Sequence, residues 1–318
     1  MKITLALLLS ISLYAEDFAL LYQSKGVNAL IKALDIELTK KTYWDKKLQN
    51  IDTRYGYIEG KNSFLTCNKN DSSLHYFKRD KKGNFKKENT FKALTGKING
   101  DKQKEGDKKT PIGVYKLTKK LNKLDPFYGP LAFVTSYPNL YDRVRGKNGS
   151  GIWIHGVPDN KNREKSTKGC IAIDNNDIRC LEEKLDFKNS WLIIDEHVTF
   201  AISKESLASV LSQLFSWRYA WLKSNIDDYL SFYDPSFVRF DGMKYPKFKT
   251  YKQRIFKKKE KKDIFFSNIN VISYPGSVKN LFQISFHEKY RTYSYHFEGE
   301  KTLIVKLVNN NIKIIAER

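Results

Sequence analysis

Two short stretches of the chain hold the side chains with chemical potential. One is Ile152-Trp153-Ile154-His155-Gly156, and the other, which places a cysteine fifteen residues after the histidine, is Thr167-Lys168-Gly169-Cys170-Ile171. A free cysteine thiol has a pKa of about 8.5 and becomes a strong nucleophile at neutral pH only beside a base or a cation. A histidine within hydrogen-bond reach supplies that base. Alternation along a strand puts Ile152 and Ile154 on one face and Trp153 and His155 on the other. If the isoleucines enter a core, His155 faces the open side. Gly156 then allows a substrate backbone to come close, and Gly169 suits a tight turn whose N–H groups can hold an oxyanion. Set against this, an arbitrary Cys/His pair is more often a buried structural cysteine and a satisfied core histidine. The remaining histidines, His75, His197, His287 and His296, lack ligand spacing, and no Cys-x-x-Cys or His-Glu-x-x-His occurs. No metal and no cofactor is therefore expected.

The elements that must position these residues are bounded by composition. A chain of 318 residues suggests roughly two domains of ordinary size. Hydrophobic residues at 41% and aromatics at 14% are enough for real cores and argue against a disordered chain. Three cysteines exclude a disulfide scaffold; Cys67 and Cys180 could pair and leave Cys170 free, or Cys180 could be a small buried apolar residue. The 57 Lys+Arg against 35 Asp+Glu give a net charge of +22. Such a balance suits an anionic partner, although many of the lysines occur as scattered pairs, as on a solvated surface. The N-terminus narrows the choice. Met1-Lys2 is followed by an apolar run from Ile3 to Tyr14, and Ala15 precedes Glu16-Asp17, a pattern that reads as a cleavable signal peptide over residues 1–15. It implies export to the periplasm and removes nucleic acid as a partner. No later segment reaches the 18 or so apolar residues of a spanning helix, so no transmembrane anchor is expected.

Three regions follow the leader. Residues 16–55 read as a helical arm, with Val27, Leu30, Ile31, Leu34 and Leu38 at helix spacing; it is too small to be a domain and could pack on the next domain or on a second subunit, as a homodimer. Residues 56–200 read as short strands broken by turns, among them 113–117, 131–134, 152–155 and 191–194, with a helix after Asp174. Residues 201–318 open with a helix capped by Ser203, with an apolar face of Leu207, Val210, Leu211, Leu214 and Trp217 or Trp221. A short helix around 226–232 comes next. Strands are then expected at 265–271, 281–288, 291–297, 301–307 and 312–316, with the lysine run 257–262 at a hairpin end. Helices followed by antiparallel strands indicate α+β units.

The middle region resembles the YkuD-type L,D-transpeptidase catalytic domain, which has a His-Gly pair followed by a Ser-x-Gly-Cys block. Thr167-Lys168-Gly169-Cys170 matches with Thr in the Ser place, and Gly96 with Thr110-Pro111-Ile112-Gly113-Val114-Tyr115 matches an upstream segment of that family. The resemblance implies a β-sandwich-like domain with Cys170 as nucleophile and His155 as general base and acid. It also implies an oxyanion hole from the N–H groups of Gly169 and Cys170, and a Gly156 carbonyl that orients the imidazole. The family usually has Arg two residues after the cysteine, where this chain has Ala172. Arg143, Arg145 and Lys168 are the candidate cations for a substrate carboxylate, and Trp153 and Thr167 line the same region. The last region resembles the NTF2-like fold, an α+β cone with a pocket in which Tyr233, Lys306 and Glu317 are candidate polar residues. The combination is similar to the cell-shape L,D-carboxypeptidases of helical Gram-negative bacteria. It implies action on peptidoglycan stem peptides as the anionic partner, with hydrolysis of the terminal D-Ala. The alternatives are crosslinking by transpeptidation and a non-catalytic wall-binding scaffold.

Overall fold

The computed structural model describes residues 3–158, 165–200 and 202–318, with side chains from Asp17 onward. The side chains of the leader segment lie outside the described residues. The chain begins with α1 (Ile3–Thr39), broken at Gly26, and α2 (Lys41–Leu48). It continues through β1 (Tyr57–Ile58), β2 (Ser63–Asn68), β3 (Ser73–Arg79), β4 (Phe85–Lys92), β5 (Gly113–Leu121), β6 (Ala132–Thr135), α3 (Leu140–Val144), β7 (Trp153–His155), β8 (Ile171–Ala172), α4 (Asn175–Lys184) and β9 (Trp191–Asp195). The last third holds α5 (Lys204–Leu222), α6 (Ile226–Ser231), β10 (Tyr233–Arg239), α7 (Tyr245–Phe256), β11 (Asp263–Ser273), β12 (Leu281–Arg291), β13 (His296–Val308) and β14 (Asn311–Glu317). Among the described residues, no helix is long and apolar enough to cross a membrane.

Eight strands form the catalytic half in the order β4-β3-β2-β9-β5-β6-β7-β8. Strand β5 serves both sides: residues 113–116 pair with β9, and 117–121 pair with β6, with a register shift between Leu117 and Lys119. This irregularity turns the sheet, giving the β-sandwich-like shape. Ile152 and Ile154 are buried at its core with Phe133, Ile171 and Ile178. The expected strands at 113, 131, 152 and 191 are present with shifted ends. Strand β2 carries no alternation, because it lies between β3 and β9 and is buried on both faces.

Six strands form the second sheet, in the order β1-β11-β12-β13-β14-β10. Strand β1 belongs here and not to the catalytic sheet, since Tyr57 pairs with Val271 and Ile58 with Asn270. Helix α5 covers this sheet with the expected face, Leu207, Val210, Leu211, Leu214, Trp217 and Trp221, all buried. Ser203 caps it by accepting the Ser206 N–H at 3.0 Å. Two expectations change. The segment 291–297 is the turn between β12 and the start of β13, held by the Thr292 N–H to the Tyr295 carbonyl, so four strands stand where five were expected, and β1 and β10 bring the sheet to six. The lysine run 257–262 joins α7 to β11 and does not end a hairpin.

The arm packs on the accessory half. Trp44 is 2% exposed, stacks on Phe215 of α5 at 5.4 Å and donates its indole N–H to the Leu38 carbonyl at 2.8 Å. Asp35 meets the buried Arg218 at 2.9 Å. The opposite face of α1 stays open: Leu20, Val27, Ile31 and Leu34 are exposed. The two halves share a core, in which Val114, Leu140 and Trp191 of one meet Ile272, Tyr274 and Leu281 of the other. Trp44→Ala should lower the unfolding free energy by about 3–5 kcal/mol, read from urea denaturation of the full chain; a change under about 1 kcal/mol would show that the arm is not anchored there.

Candidate active site

The site is assembled by a short parallel pairing. β7 pairs with β8 in a register that sets Ile154 against Ile171 and His155 against Ala172. Cys170, one residue before β8, is thereby brought to the strand that carries His155. The Cys170 thiol donates to the Gly151 carbonyl at 3.3 Å. A carbonyl only accepts, so the sulfur carries its proton in this state. Burial pushes the Cys170 thiol up, while the Trp153 N–H and the Lys102 ammonium act the other way.

His155 is 4% exposed and held from two sides. Its Nδ1 lies 2.6 Å from the Gly156 carbonyl. Because the carbonyl accepts, Nδ1 bears the hydrogen and Nε2 keeps the lone pair a base needs. Burial pushes the imidazole below its usual range, with the Gly156 bond opposing, so the ring is neutral at pH 7. The Tyr128 ring stands edge-on to it at 5.1 Å and also packs on Trp153 at 5.1 Å. Thus the face of β7 opposite the isoleucines is covered and not open. Tyr128 was not apparent from sequence reading; the surrounding Asp125-Pro126-Phe127-Tyr128-Gly129-Pro130 signals a turn but not where that turn lands.

The turn that ends in Cys170 is tied by one hydroxyl. Thr167 Oγ1 accepts the Gly169 N–H at 3.0 Å and donates to the Cys170 carbonyl at 2.7 Å. The Gly169 N–H is therefore occupied, a correction to its expected place in an oxyanion hole. Glycine is required here for another reason: its φ is +134°, and a Cβ would meet the Lys109 carbonyl at 2.8 Å. At Gly156 a Cβ would lie 2.4 Å from Asn175 Oδ1 and 2.8 Å from Pro130 Cδ. That glycine admits the protein's own packing rather than a substrate backbone.

The candidate cations are dispersed. Arg145 is ion-paired to Asp142 at 3.0 Å and to Asp101 at 3.4 Å and lies over the Tyr141 ring at 4.3 Å. Its guanidinium is committed to protein carboxylates, which corrects its expected role with a substrate carboxylate. Arg143 and Lys168 are exposed. Cys67 and Cys180 are both free: Cys67 is buried in β2, where burial pushes it up to about 12, and Cys180 lies half-buried on α4.

With this geometry in view, the comparisons decide the family. Residues 62–192 match the L,D-transpeptidase catalytic domain, and residues 209–318 match the Cds6 C-terminal NTF2-like domain. The helical cell shape determining protein Pgp2 from Campylobacter jejuni is 40% identical, over 88% of this chain and 99% of that one, with a TM-score of 0.81. The chain belongs to the L,D-transpeptidase family, in the form that carries a C-terminal NTF2-like domain. A point variant of Pgp2 aligns at 39% identity over 89% of this chain and 99% of that one, with a TM-score of 0.83. Bd1075 of Bdellovibrio bacteriovorus aligns at 27% over 81% and 92%, with a TM-score of 0.65. No curated protein matches the chain.

The NTF2-like domain holds a cavity of about 700 Å³. Glu317 lines it, but Tyr233 and Lys306 do not. The Tyr233 hydroxyl is buried between Tyr229 and Glu317, at 2.7 Å from each, and Lys306 is exposed on β13. Seven cationic residues of those described line the cavity, Lys252, Lys301, Arg239 and Arg254 among them. Burial pulls Lys252 down to about 8, and its ammonium lies 5.0 Å from Trp221. Lys301 bridges Glu317 at 2.8 Å and Glu288 at 3.5 Å. Strand alternation separates Lys301 from Lys306, a distinction of register that composition cannot convey.

An uncharged thiol at Cys170 has a measurable signature. Alkylation of Cys170 by iodoacetamide should still be rising above pH 8.5. A plateau reached by pH 7 would show a preformed thiolate–imidazolium pair and overturn this reading.

Proposed function

We propose that this protein is an exported L,D-carboxypeptidase of peptidoglycan. It removes the terminal D-Ala from stem tetrapeptides, leaves tripeptides and so influences cell shape. The observation that carries the reading is the meeting of Cys170 with the strand of His155, whose Nδ1 is tied back and whose Nε2 is left as a base. In the acylation step the Cys170 proton passes to His155 Nε2 and the sulfur attacks the carbonyl of the residue before D-Ala. The C–N bond breaks, and the D-Ala amine leaves with the proton from the imidazolium. The acyl group remains as a thioester. Water then gives a proton to His155 and attacks the thioester; the tripeptide acid leaves and the thiolate recovers the proton. The Cys170 N–H is the remaining turn donor for the oxyanion.

Support for hydrolysis comes from the pairing of this catalytic domain with an NTF2-like domain, as in the cell-shape protein Pgp2. Ala172 also stands where the family usually has a cation. The sequence Met1–Ala15 supports export to the periplasm, where the net charge of +22 favours an anionic wall polymer. Purified protein incubated with disaccharide tetrapeptide should yield the tripeptide and one D-Ala by mass analysis, with Cys170→Ala lowering the rate by about 10³-fold or more. Unchanged muropeptide would refute the proposal, and a crosslinked dimer would establish transpeptidation instead.

The exposed apolar face of α1 supports one further reading, that two copies associate through the arm. Sedimentation of the full chain should show a dimer, shifted toward monomer by Ile31→Glu; a monomer at high micromolar concentration would rule it out.

A further inference from the structure

The run of chain that begins with Cys170 travels alongside the one that carries His155. Ile171 pairs with Ile154 and Ala172 with His155, and the Ile173 N–H continues the track by donating to the His155 carbonyl at 3.0 Å. At the far end of the run stands Asn175, the first residue of α4. Its Oδ1 accepts the Val157 N–H at 2.9 Å. A backbone N–H only donates, so the side-chain amide must turn its oxygen, and not its nitrogen, to this contact.

The group that Asn175 holds is the group that orients the base. The Gly156 carbonyl and the Val157 N–H belong to one planar peptide unit. One end of that unit lies 2.6 Å from His155 Nδ1, whose hydrogen it accepts, and the other end donates to Asn175 Oδ1. Hydrogen bonds at the two ends of a peptide polarise it in the same sense and strengthen one another. Rotating the unit would carry its carbonyl away from Nδ1. Gly156 has no side chain to restrain that rotation, and the bond to Asn175 opposes it.

The packing around this oxygen is close. A Cβ at Gly156 would lie 2.4 Å from Asn175 Oδ1, and one at Gly129 would lie 2.5 Å from the same atom and 2.7 Å from the Val157 nitrogen. Two glycines therefore leave a slot for one amide oxygen. Gly129 follows Tyr128, whose ring stands edge-on to the imidazole. At this one point Asn175 meets both the peptide that sets the tautomer of His155 and the turn that covers its ring.

We infer that Asn175 is a positioning residue for the base: through the Gly156–Val157 peptide it keeps the hydrogen of His155 on Nδ1 and the lone pair on Nε2. It acts through that peptide and is not a catalytic residue. The inference rests on His155 being the base of the proposed reaction.

The test is NMR of the imidazole nitrogens in the isotope-labelled full chain, at a pH where the rings are neutral, read beside D-Ala release from disaccharide tetrapeptide. The His155 signals are assigned by their loss in His155→Gln. Wild type should show one protonated and one unprotonated ring nitrogen, the protonated one being Nδ1. Asn175→Leu has a similar volume but no acceptor. Its two signals should move toward one another as the tautomers mix, and kcat should fall by about 10²-fold with KM little changed. Asn175→Asp, which keeps an acceptor oxygen, should keep the signals apart. Signals that stay apart in Asn175→Leu overturn the assignment even if the rate falls, because a merely structural loss would do that. Mixed tautomers with an undiminished kcat overturn its part in the reaction. Should Asn175→Leu not fold, Asn175→Ala decides by the same two readouts. The proposed reaction fails separately, if wild-type protein releases no D-Ala; the tautomer signals do not depend on turnover.

Discussion

The pairing of β7 with β8 is short, two registered positions long, yet the site depends on it. Parallel neighbours cannot be joined by a tight turn, so the chain must leave His155, travel and return before Ile171 can pair with Ile154. The return is stabilised from behind. Ile154 and Ile171 are fully buried, and Ile173 donates its N–H to the His155 carbonyl at 3.0 Å. The same apolar burial that stabilises the core therefore brings Cys170 to the strand that carries His155.

Burial has an electrostatic consequence that the local hydrogen bonds must manage. Removing water disfavours the charged form of both partners, raising the thiol and lowering the imidazole. Both groups are thereby held toward their uncharged forms. Such a site needs groups fixed in advance for the charge that develops. The Gly156 carbonyl sets the tautomer of His155, Thr167 shapes the turn, and the Trp153 N–H faces the sulfur. Each is backbone or a short side chain held by backbone, which keeps the arrangement stiff.

The two domains act as one body around this site. Their cores merge at Leu140, Trp191, Ile272 and Leu281, and the chain threads the accessory sheet through β1 before entering the catalytic one. The buried charges near the join are paired: Lys147 has two carboxylates, and Asp142 answers two cations and a tyrosine hydroxyl. Unpaired charges there would be strongly destabilising. The cavity of the NTF2-like domain repeats the theme with Lys301 between Glu288 and Glu317, while Lys252 faces aromatic rings.

Much of this was legible in the residues themselves. Alternation at 152–155 placed the isoleucines inward, the spacing of Leu207 to Trp221 described a buried helix face, and the His-Gly and Thr-x-Gly-Cys blocks marked the catalytic domain. These are local patterns, set by strand and helix period and by motif. What the sequence did not reveal depends on contacts distant along the chain. Tyr128 covers His155 because a turn from 125–130 folds over β7, and Arg145 is neutralised by Asp101, 44 residues away. Lys102 reads as one more solvated lysine until segment 95–110 packs around Thr167 and Gly169 and buries it. The sequence by itself determined the domain types and the residue types for the chemistry. Only the tertiary structure decided which cations remain free, because pairing depends on which charges burial brings within a few ångströms of one another.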